Sequence, residues 1–407
     1  MSAGRARPTV LAVLLAGGAG GRMGPLTAEK AKPALPFAGS YHLIDVPLSN
    51  LVHSGITDVW VIEQFQPHYL NEHVANGRPW DLDRTHGGLR LLPPFQGDDG
   101  EGFAQGNADA LYRQAELIRE LDPDLVLTLS ADHLYRLDYR DVVDTHLAAG
   151  ADLTMVTTQL SGDVSRFSVV QTEDGRVTDF AYKPDEPASR LVGTEVFLYD
   201  ADALLDTLAM LLERDGKLED YGDALVPHLV EHGTVVEHRL ETYWRDVGTI
   251  ESYWEAHQEL LRGTGFDVAD AAWPIYTAQP QTRPAFIAAD ASVSNSLVSP
   301  GAEIHGMVID SVIGPRVNVA AGATVRASVL MDGVRVAEDA TVTKALVDID
   351  TRIGAGAEVG VGASEDHTLS SDGDGDADIT VLGDHYEVRA RRTIQAGAQF
   401  PVADRAD

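Results

Sequence analysis

The stretch Thr9-Val-Leu-Ala-Val-Leu-Leu-Ala-Gly-Gly-Ala-Gly-Gly-Arg22 joins an apolar run to a cluster of glycines. The run Val10–Ala16 suits a buried β-strand, and it is far shorter than the ~20 apolar residues of a membrane span. Arg5 and Arg7 precede it, as basic residues precede the apolar part of a secretory signal peptide. We prefer a strand that ends in a phosphate-binding loop, because this interpretation explains both the apolar residues and the glycines.

Strand-like and helix-like patterns alternate through the N-terminal part of the chain. Apolar β-branched runs between amphipathic helices predict a Rossmann-like α/β domain with a mostly parallel sheet. Ligands of such domains bind at the carboxyl ends of the strands. The predicted strands are Thr9–Ala16, Asp58–Glu63, Leu125–Ser130, Leu153–Thr158 and Gly193–Leu198, and the predicted helices are Leu43–Ser54, Ala108–Leu121 and Tyr139–Ala148.

The C-terminal part of the chain repeats. Segments Ser311–Val325, Ser328–Val342 and Ala345–Val359 align at a spacing of 17 residues, and aliphatic residues recur in each about every six positions. This pattern predicts a left-handed parallel β-helix of hexapeptide repeats, whereas the strands of a β-sandwich would alternate without this period. Because a short stack of coils has exposed ends, we expect it to pack against the other domain or other subunits.

The composition restricts the partners. The 407 residues include 31 basic and 63 acidic side chains, which give a formal net charge of −32, and no cysteine. Disulfides, thiolate metal sites and cysteine nucleophiles are therefore excluded. The acidity argues against nucleic acid as a partner. We expect a cytoplasmic protein with no membrane association.

The glycine cluster is flanked by cations. It matches neither the dinucleotide motif, since Met23 occupies the third glycine position, nor a P-loop, which ends in Gly-Lys-Ser/Thr. Backbone N–H groups of glycines can approach phosphate oxygens closely, and Arg22 and Lys32 can offset the charge of a triphosphate. These features together predict phosphate binding.

Two aspartates are candidate metal ligands. Asp132 follows the predicted strand Leu125–Ser130, and Asp246 lies in Tyr243-Trp-Arg-Asp-Val-Gly-Thr249. Two carboxylates together with triphosphate oxygens suit Mg²⁺, although either aspartate alone could be only a loop cap. We interpret the neighbouring His133 as structural rather than catalytic.

These segments together resemble one family. The chain is similar to the bacterial ADP-glucose pyrophosphorylases (glucose-1-phosphate adenylyltransferases) from about residue 9 to its C-terminal region, with both domains in the same order. The motifs that carry the resemblance are the glycine–arginine loop through Ala31-Lys-Pro33, Leu43-Ile-Asp-Val-Pro-Leu-Ser-Asn50, Gly106-Asn-Ala-Asp109, Ala131-Asp-His-Leu-Tyr135, Tyr243–Thr249 and Trp273-Pro-Ile-Tyr276.

The resemblance implies a GT-A-like nucleotidyltransferase domain that forms ADP-glucose and pyrophosphate from ATP and glucose 1-phosphate, for glycogen synthesis, in a homotetramer held by the β-helix. By the same resemblance, Arg22 stabilises the departing pyrophosphate, Lys32 and Lys183 bind substrate phosphate, and Asp132 and Asp246 hold Mg²⁺. The implied nucleotide-binding residues are Leu15, Ala16, Gly17, Gly18, Gly20, Gln96, Gly106 and Asp109, and the implied sugar-phosphate-binding residues are Ser168, Tyr182, Lys183 and Gly193.

With the repeats, the resemblance divides the chain into four regions. We expect a catalytic domain at 1–265, a linker at 266–291, the β-helix at 292–364 and a tail at 365–407. The tail contains Ser371–Asp378, which resembles a calcium loop but lacks the glutamate at the twelfth position, so we interpret it as a solvated acidic loop. Ile379–Val388 is a candidate for one further strand pair.

Several positions depart from the family pattern. The glycine of the family's Phe-Gly-Val, the glutamate of its Glu-Lys-Pro and the serine of its Ser-Met-Gly are replaced by Ser168, Tyr182 and Leu191. Two of these changes lose polar groups, which would relax or redirect sugar specificity. The family's Pro-Ala-Gln-Gln reads Pro93-Pro-Phe95-Gln96, which leaves Gln96 to read the base. Glu29 replaces a basic residue and would repel the phosphate of a sugar-bisphosphate activator.

Three functions therefore stay open. The first is an ADP-glucose-forming enzyme, and the second is an enzyme of the same chemistry with another sugar phosphate or base. The third is a regulatory subunit that binds ligands but catalyses little.

Overall fold

The computed structural model describes residues 7–17, 21–94, 104–279, 281–364 and 378–401. The chain forms two compact units. We call the first, which consists of Met1–Gly18, Pro47–Ala131 and Tyr135–Trp244, the sheet unit. We call the second, which consists of Ala19–Val46, Asp132–Leu134 and Arg245–Asp407, the β-helix unit.

The N-terminal elements follow the predicted alternation of strands and helices. The strands are β1 Val10–Ala16, β2 Pro36–Phe37, β3 Tyr41–His42, β4 Asp58–Glu63, β5 Gly88–Leu92, β6 Leu125–Ser130, β7 His133–Tyr135, β8 Leu153–Gln159, β9 Ser168–Glu173, β10 Arg176–Tyr182, β11 Leu191–Asp200, β12 Val235–Arg239 and β13 Trp244–Asp246. The helices are α1 Asp45–His53, α2 Pro67–Val74, α3 Asn107–Tyr112, α4 Ala115–Leu121, α5 Tyr139–Ala149, α6 Ala201–Asp215, α7 Leu225–His232 and α8 Ile250–Arg262. Short 3-10 helices lie at Gly21–Thr27, Lys32–Ala34 and Arg78–Trp80.

One mixed sheet organises the sheet unit. Its nine strands lie in the order β5-β4-β1-β6-β11-β8-β12-β10-β9. All of them run in one direction except β10 and β11, so the predicted α/β class with a mostly parallel sheet is confirmed. The main core of this unit includes side chains of β1, β4 and β11 and of helices α3, α4, α6 and α7.

One predicted helix is wrong as a single element. Ala108–Leu121 is divided into α3 and α4, because the N–H of Gln114 donates to the carbonyl of Leu111, one residue short of the α-helical partner.

Among the described residues, no helix is long and apolar enough to cross a membrane.

A parallel β-helix dominates the β-helix unit. Its strands are β14 Phe286–Ile287, β15 Ser292–Ser294, β16 Leu297–Val298, β17 Glu303–Ile304, β18 Met307–Ile309, β19 Val312–Ile313, β20 Asn318–Val319, β21 Thr324–Arg326, β22 Val329–Leu330, β23 Arg335–Val336, β24 Thr341–Thr343, β25 Ala345–Val347, β26 Arg352–Ile353, β27 Glu358–Val361, β28 Thr380–Leu382, β29 Glu387–Val388, β30 Thr393–Gln395 and β31 Gln399–Phe400.

These strands form three parallel six-stranded sheets, as expected for the predicted left-handed β-helix. The 17-residue spacing is the repeat of the coil: Val319 pairs with Val336, and Val336 pairs with Ile353. These three aliphatic side chains are buried in the core of the β-helix, so the repeat in the sequence records a stack of inward-facing residues.

The β-helix is longer than the predicted 292–364. It begins at Phe286, inside the predicted linker, and continues to Phe400, inside the predicted tail. The prediction ended too early because an insertion breaks the period: Leu346 pairs with Val381, 35 residues later. The acidic loop Ser371–Asp378 lies within this insertion and, apart from Asp378, outside the described residues.

Candidate active site

Three predicted residues converge in the β-helix unit. Lys32 begins the 3-10 helix Lys32–Ala34, and its Nζ lies 2.5 Å from Oδ2 of Asp132 and 3.3 Å from Oδ1 of Asp246. Asp132 lies two residues after the end of β6, and Asp246 is the last residue of β13. Since these groups come from three distant parts of the sequence, their meeting is a property of the tertiary structure.

The surroundings of this cluster explain its charge state. Burial opposes the ionised form of Lys32, but the two carboxylates outweigh it and raise the pKa of Lys32 above its ordinary value. Lys32 and Asp246 are 8% and 9% exposed, so a charged lysine at this depth depends on its partners. The ammonium therefore remains a cation at neutral pH.

Two further residues border the cluster. Nε2 of His133 lies 3.7 Å from Oδ1 of Asp132 and 3.7 Å from Oδ1 of Asp246, which puts a residue that we interpreted as structural beside both carboxylates. At Gly248, a Cβ atom would lie 2.8 Å from Oδ1 of Asp246 and 3.1 Å from Nζ of Lys32. A side chain there would crowd the ion pair, so Gly248 is a site residue that the sequence interpretation missed.

The predicted phosphate loop is only partly described. Gly18 and Gly20 lie outside the described residues. Arg22 lies in the 3-10 helix Gly21–Thr27, and its side chain is exposed. In the sheet unit, Leu15 and Ala16 end β1, and a Cβ at Gly17 would lie 2.7 Å from Cδ and Oε1 of Gln64.

The second predicted nucleotide segment has local partners. At Gly106, a Cβ would lie 2.4–2.6 Å from the backbone of Glu219 and Asp220, so this position has room only for glycine. Asp109 accepts a hydrogen bond from the N–H of Gln105 and forms an ion pair with Arg113 one helical turn later. These contacts give Asp109 a structural role, and its role in nucleotide binding stays a prediction. Gln96 and Phe95 lie outside the described residues.

The predicted sugar-phosphate residues lie on adjacent strands of the sheet unit. Ser168 begins β9 and pairs with Tyr182 at the end of β10. Nζ of Lys183 donates to the hydroxyl of Tyr182 at 2.8 Å, and this ammonium lies 4.3 Å from the centre of the same ring. Gly193 lies on β11, where a Cβ would make only ordinary contacts with Ser168 and Met155.

One predicted departure has a structural explanation. Leu191 replaces the serine of the family motif at the start of β11, and its side chain is 5% exposed within the main core of the sheet unit. An apolar residue at this position therefore stabilises the sheet by burial. The loss of a polar group at Leu191 is thus accompanied by a gain in packing.

Residues 219–223 connect the two predicted binding segments of this unit. Asp220 accepts hydrogen bonds from the hydroxyl of Tyr182 and from the N–H of Asn107, each at 3.1 Å. Gly222 lies so close to Tyr182 that a Cβ would meet its ring at 2.3 Å. The sequence could have predicted this loop from Asp220-Tyr-Gly-Asp223, because turn-forming residues cluster there just before an apolar helix.

A second carboxylate belongs to the same group. Glu195 has a left-handed backbone, with φ at 58°, where the pairing of β11 with β8 is interrupted by a bulge. Its Oε1 accepts a hydrogen bond from the hydroxyl of Tyr221 at 3.1 Å. Burial, followed by the nearby carboxylates, raises the pKa of both Tyr182 and Tyr221, so both phenols stay protonated. We call Tyr182, Glu195, Asp220 and Tyr221 the tyrosine–carboxylate group.

Comparisons with known proteins agree with both parts of the chain. The nucleotidyl transferase family model matches residues 11–263, and the GlmU-like C-terminal hexapeptide model matches residues 285–374. A glucose-1-phosphate adenylyltransferase of Thermotoga neapolitana is 41% identical over 322 residues, which are 78% of this chain and 76% of that protein. The protein of the same name from Desulforamulus reducens is 36% identical and covers 87% of this chain and 90% of its own length.

The chain belongs to the glucose-1-phosphate adenylyltransferase family. The predicted resemblance is therefore confirmed, and so is the order of a nucleotidyltransferase domain followed by hexapeptide repeats. Within this family framework, the structure brings together Lys32, Asp132 and Asp246 in one unit. In the other unit it brings together Ser168, Tyr182 and Lys183.

Proposed function

We propose that the chain transfers an adenylyl group from ATP to glucose 1-phosphate and releases pyrophosphate. The observation that carries this proposal is the convergence of Asp132 and Asp246 on Nζ of Lys32. The relatives of this chain are named for the same reaction.

The reaction needs no protein nucleophile or base. An oxygen of the sugar phosphate, already anionic at neutral pH, attacks the α-phosphorus of ATP. The new O–P bond forms as the bond to the β-phosphate oxygen breaks, and pyrophosphate leaves with the electron pair. Catalysis then depends on alignment and charge neutralisation. We assign substrate phosphate binding to Lys32 and Lys183, and stabilisation of the pyrophosphate to the exposed Arg22.

We propose Mg²⁺ as the cofactor. Asp132 and Asp246 fit such an ion, because both present carboxylate oxygens within 3.3 Å of one cation, the ammonium of Lys32. Oxygen ligands of this kind suit Mg²⁺, and the rest of its coordination would come from water and phosphate oxygens. When bound, the ion polarises phosphoryl oxygens and offsets charge on the leaving group.

The sugar preference carries a second proposal. The tyrosine–carboxylate group occupies the region where the family pattern is altered, and each of its two carboxylates accepts a hydrogen bond from a tyrosine hydroxyl. Carboxylates in this arrangement favour a sugar with an ammonium group, which glucose lacks. We therefore propose the same chemistry with an altered sugar preference as the alternative.

A substrate panel tests these proposals. Each of four nucleoside triphosphates is combined with the 1-phosphates of glucose, galactose, mannose and glucosamine, and pyrophosphate release is measured with Mg²⁺. The highest kcat/KM with ATP and glucose 1-phosphate supports the first proposal. A preference for another sugar or another nucleoside triphosphate supports the same chemistry with an altered substrate. Release from no pair, with the purified protein folded, contradicts both proposals and favours a regulatory subunit.

The assembly and location stay predictions. We propose a homotetramer that uses the β-helix, and four large apolar side chains near the start of the β-helix are 37–51% exposed, which supports a contact there: Phe286, Ile287, Leu297 and Met307. Light scattering of the purified chain would measure the number of subunits. We also propose a cytoplasmic location, which cell fractionation would test.

A further inference from the structure

Lys30, two residues before Lys32, is buried together with two aspartates. Its Nζ lies 2.7 and 2.8 Å from the two carboxylate oxygens of Asp348 and 3.6 Å from Oδ2 of Asp384. The side chains of Lys30, Asp348 and Asp384 are 1%, 0% and 8% exposed. We call these three residues the buried triad.

Both aspartates of the buried triad come from the β-helix. Asp348 directly follows β25, and Asp384 lies two residues after β28. Since β25 and β28 are paired, the two carboxylates lie on successive coils, and the N–H of Asp348 donates to the carbonyl of Leu382 at 2.8 Å. The two carboxylates that face Lys30 are thus held by paired strands of the β-helix.

The chain segment before Lys30 also packs on these coils. The 3-10 helix Gly21–Thr27 contacts β28 and β31. At Gly383, a Cβ would lie 3.1 Å from Cβ of Pro25, so the backbone at Gly383 lies close to the side chain of Pro25. The segment that carries Arg22 and Lys32 is therefore attached to the last coils of the β-helix at two points.

Of these two attachments, the ion pair restricts the position of the chain more strictly. A buried ammonium that loses its carboxylate, or a buried carboxylate that loses its ammonium, is strongly destabilised. The backbone at Lys30 is consequently held where Nζ reaches Asp348. Only Ala31 separates this residue from Lys32, so a shift of Lys30 would displace Lys32 from Asp132 and Asp246.

We propose that the buried triad positions Lys32, so that two carboxylates of the β-helix control the activity of a site that they do not touch. This proposal rests on the proposed function of Lys32. Lys30, Asp348 and Asp384 are positioning residues, and they act through the backbone of residues 30–32. A displacement on the order of 1 Å in such a group can lower a rate by about 100-fold.

The test compares Asp348→Asn and Lys30→Met with the unchanged enzyme at 25 °C. We expect each variant to raise KM for ATP, lower kcat and reduce kcat/KM by about tenfold or more. The double variant should lose no more than either single variant, because both changes remove one interaction. Circular dichroism at the assay temperature shows whether each protein is folded.

A matched control separates positioning from stability. Val336→Ala removes a fully buried side chain from the core of the β-helix, and it should lower Tm by several degrees without changing KM or kcat. Lys30→Arg, which keeps a cation, should recover part of the lost kcat/KM. If folded Lys30→Met and Asp348→Asn keep kcat/KM within twofold of the unchanged enzyme, the positioning role is wrong.

Two more variants keep the outcome decisive. If Lys30→Met and Asp348→Asn do not fold, Asp384→Asn is tested instead. Asp384 lies farther from Lys30 than Asp348 does, so we expect a milder loss of kcat/KM, of about threefold. Unchanged kcat and KM in Asp384→Asn would overturn the proposal. Lys32→Met tests the proposed function separately. Full activity in Lys32→Met contradicts the role of Lys32 itself, whereas inactive Lys32→Met beside fully active triad variants contradicts only the positioning.

Discussion

Two regions of the molecule differ in the kinds of groups that they contain. The first is the cluster of Lys32, Asp132 and Asp246, and the second is the tyrosine–carboxylate group. The first is built from charges of the kind that a nucleoside triphosphate requires. The second is built from phenol hydroxyls and carboxylates, which suit hydrogen bonds to a sugar. By the resemblance, the charged residues of the first match the family pattern, whereas Tyr182 in the second departs from it. If the two regions have the roles that we propose, phosphoryl transfer and sugar recognition can change independently, since different residues supply them.

The largest expected effect removes a carboxylate from the first region. Asp132→Asn should lower kcat/KM by about 100- to 1,000-fold, because a proposed metal ligand and a partner of Lys32 are lost together. Initial rates of pyrophosphate release at saturating Mg²⁺ measure the loss. As a control, Asp138→Asn changes an aspartate that caps α5 and should leave kcat/KM within about twofold. Near-normal rates for Asp132→Asn would contradict the metal site.

An intermediate effect concerns the stability of the unit that contains the first region. His257 is fully buried, accepts a hydrogen bond from the N–H of Ala38 through Nε2, and contacts the carbonyl of Tyr253 through Nδ1. Burial lowers the pKa of His257 to about 4, against 6.5 for the unperturbed group. The unfolded chain therefore binds the proton more readily, and stability is lost as pH falls from about 6.5 through 4.

This single histidine should change the free energy of unfolding by up to about 3 kcal/mol across that range. His257→Gln should flatten the fall of Tm between pH 6.5 and 4, as measured by differential scanning calorimetry. A comparison variant is His146→Gln in the sheet unit, which should also flatten the fall of Tm, because burial lowers the pKa of His146 as well. An equal pH dependence of Tm with and without His257 would contradict the assignment.

The smallest expected effect concerns the second region. Glu195→Gln removes a negative charge but keeps the length of the side chain beside Tyr221. The ratio of kcat/KM for glucosamine 1-phosphate to that for glucose 1-phosphate should fall by about tenfold, because an ammonium group loses a nearby carboxylate. The same panel of sugar 1-phosphates measures this ratio. An unchanged ratio would show that Glu195 does not contact the sugar. Any altered sugar preference of the second region would then depend on Tyr182.

Much of the fold followed from local patterns. The apolar runs at β4 and β6 gave the observed strand bounds, because a strand buried on both faces is apolar along most of its length. The inward-facing Val319, Val336 and Ile353 repeat every 17 residues for the same reason. Where the period was interrupted after β27, the prediction stopped, although the coils continue to β31.

By itself, the sequence determined the class of both units and the residue types that the chemistry needs. Those properties depend on neighbours along the chain, or on motifs matched residue by residue to a family. Only the tertiary structure decided that Asp220 and Glu195 lie beside Tyr182 and Tyr221, and that Lys30 pairs with Asp348. Each pair is far apart in the sequence, and the energy of a buried charge depends on the partners that folding brings to it rather than on its neighbours in the chain.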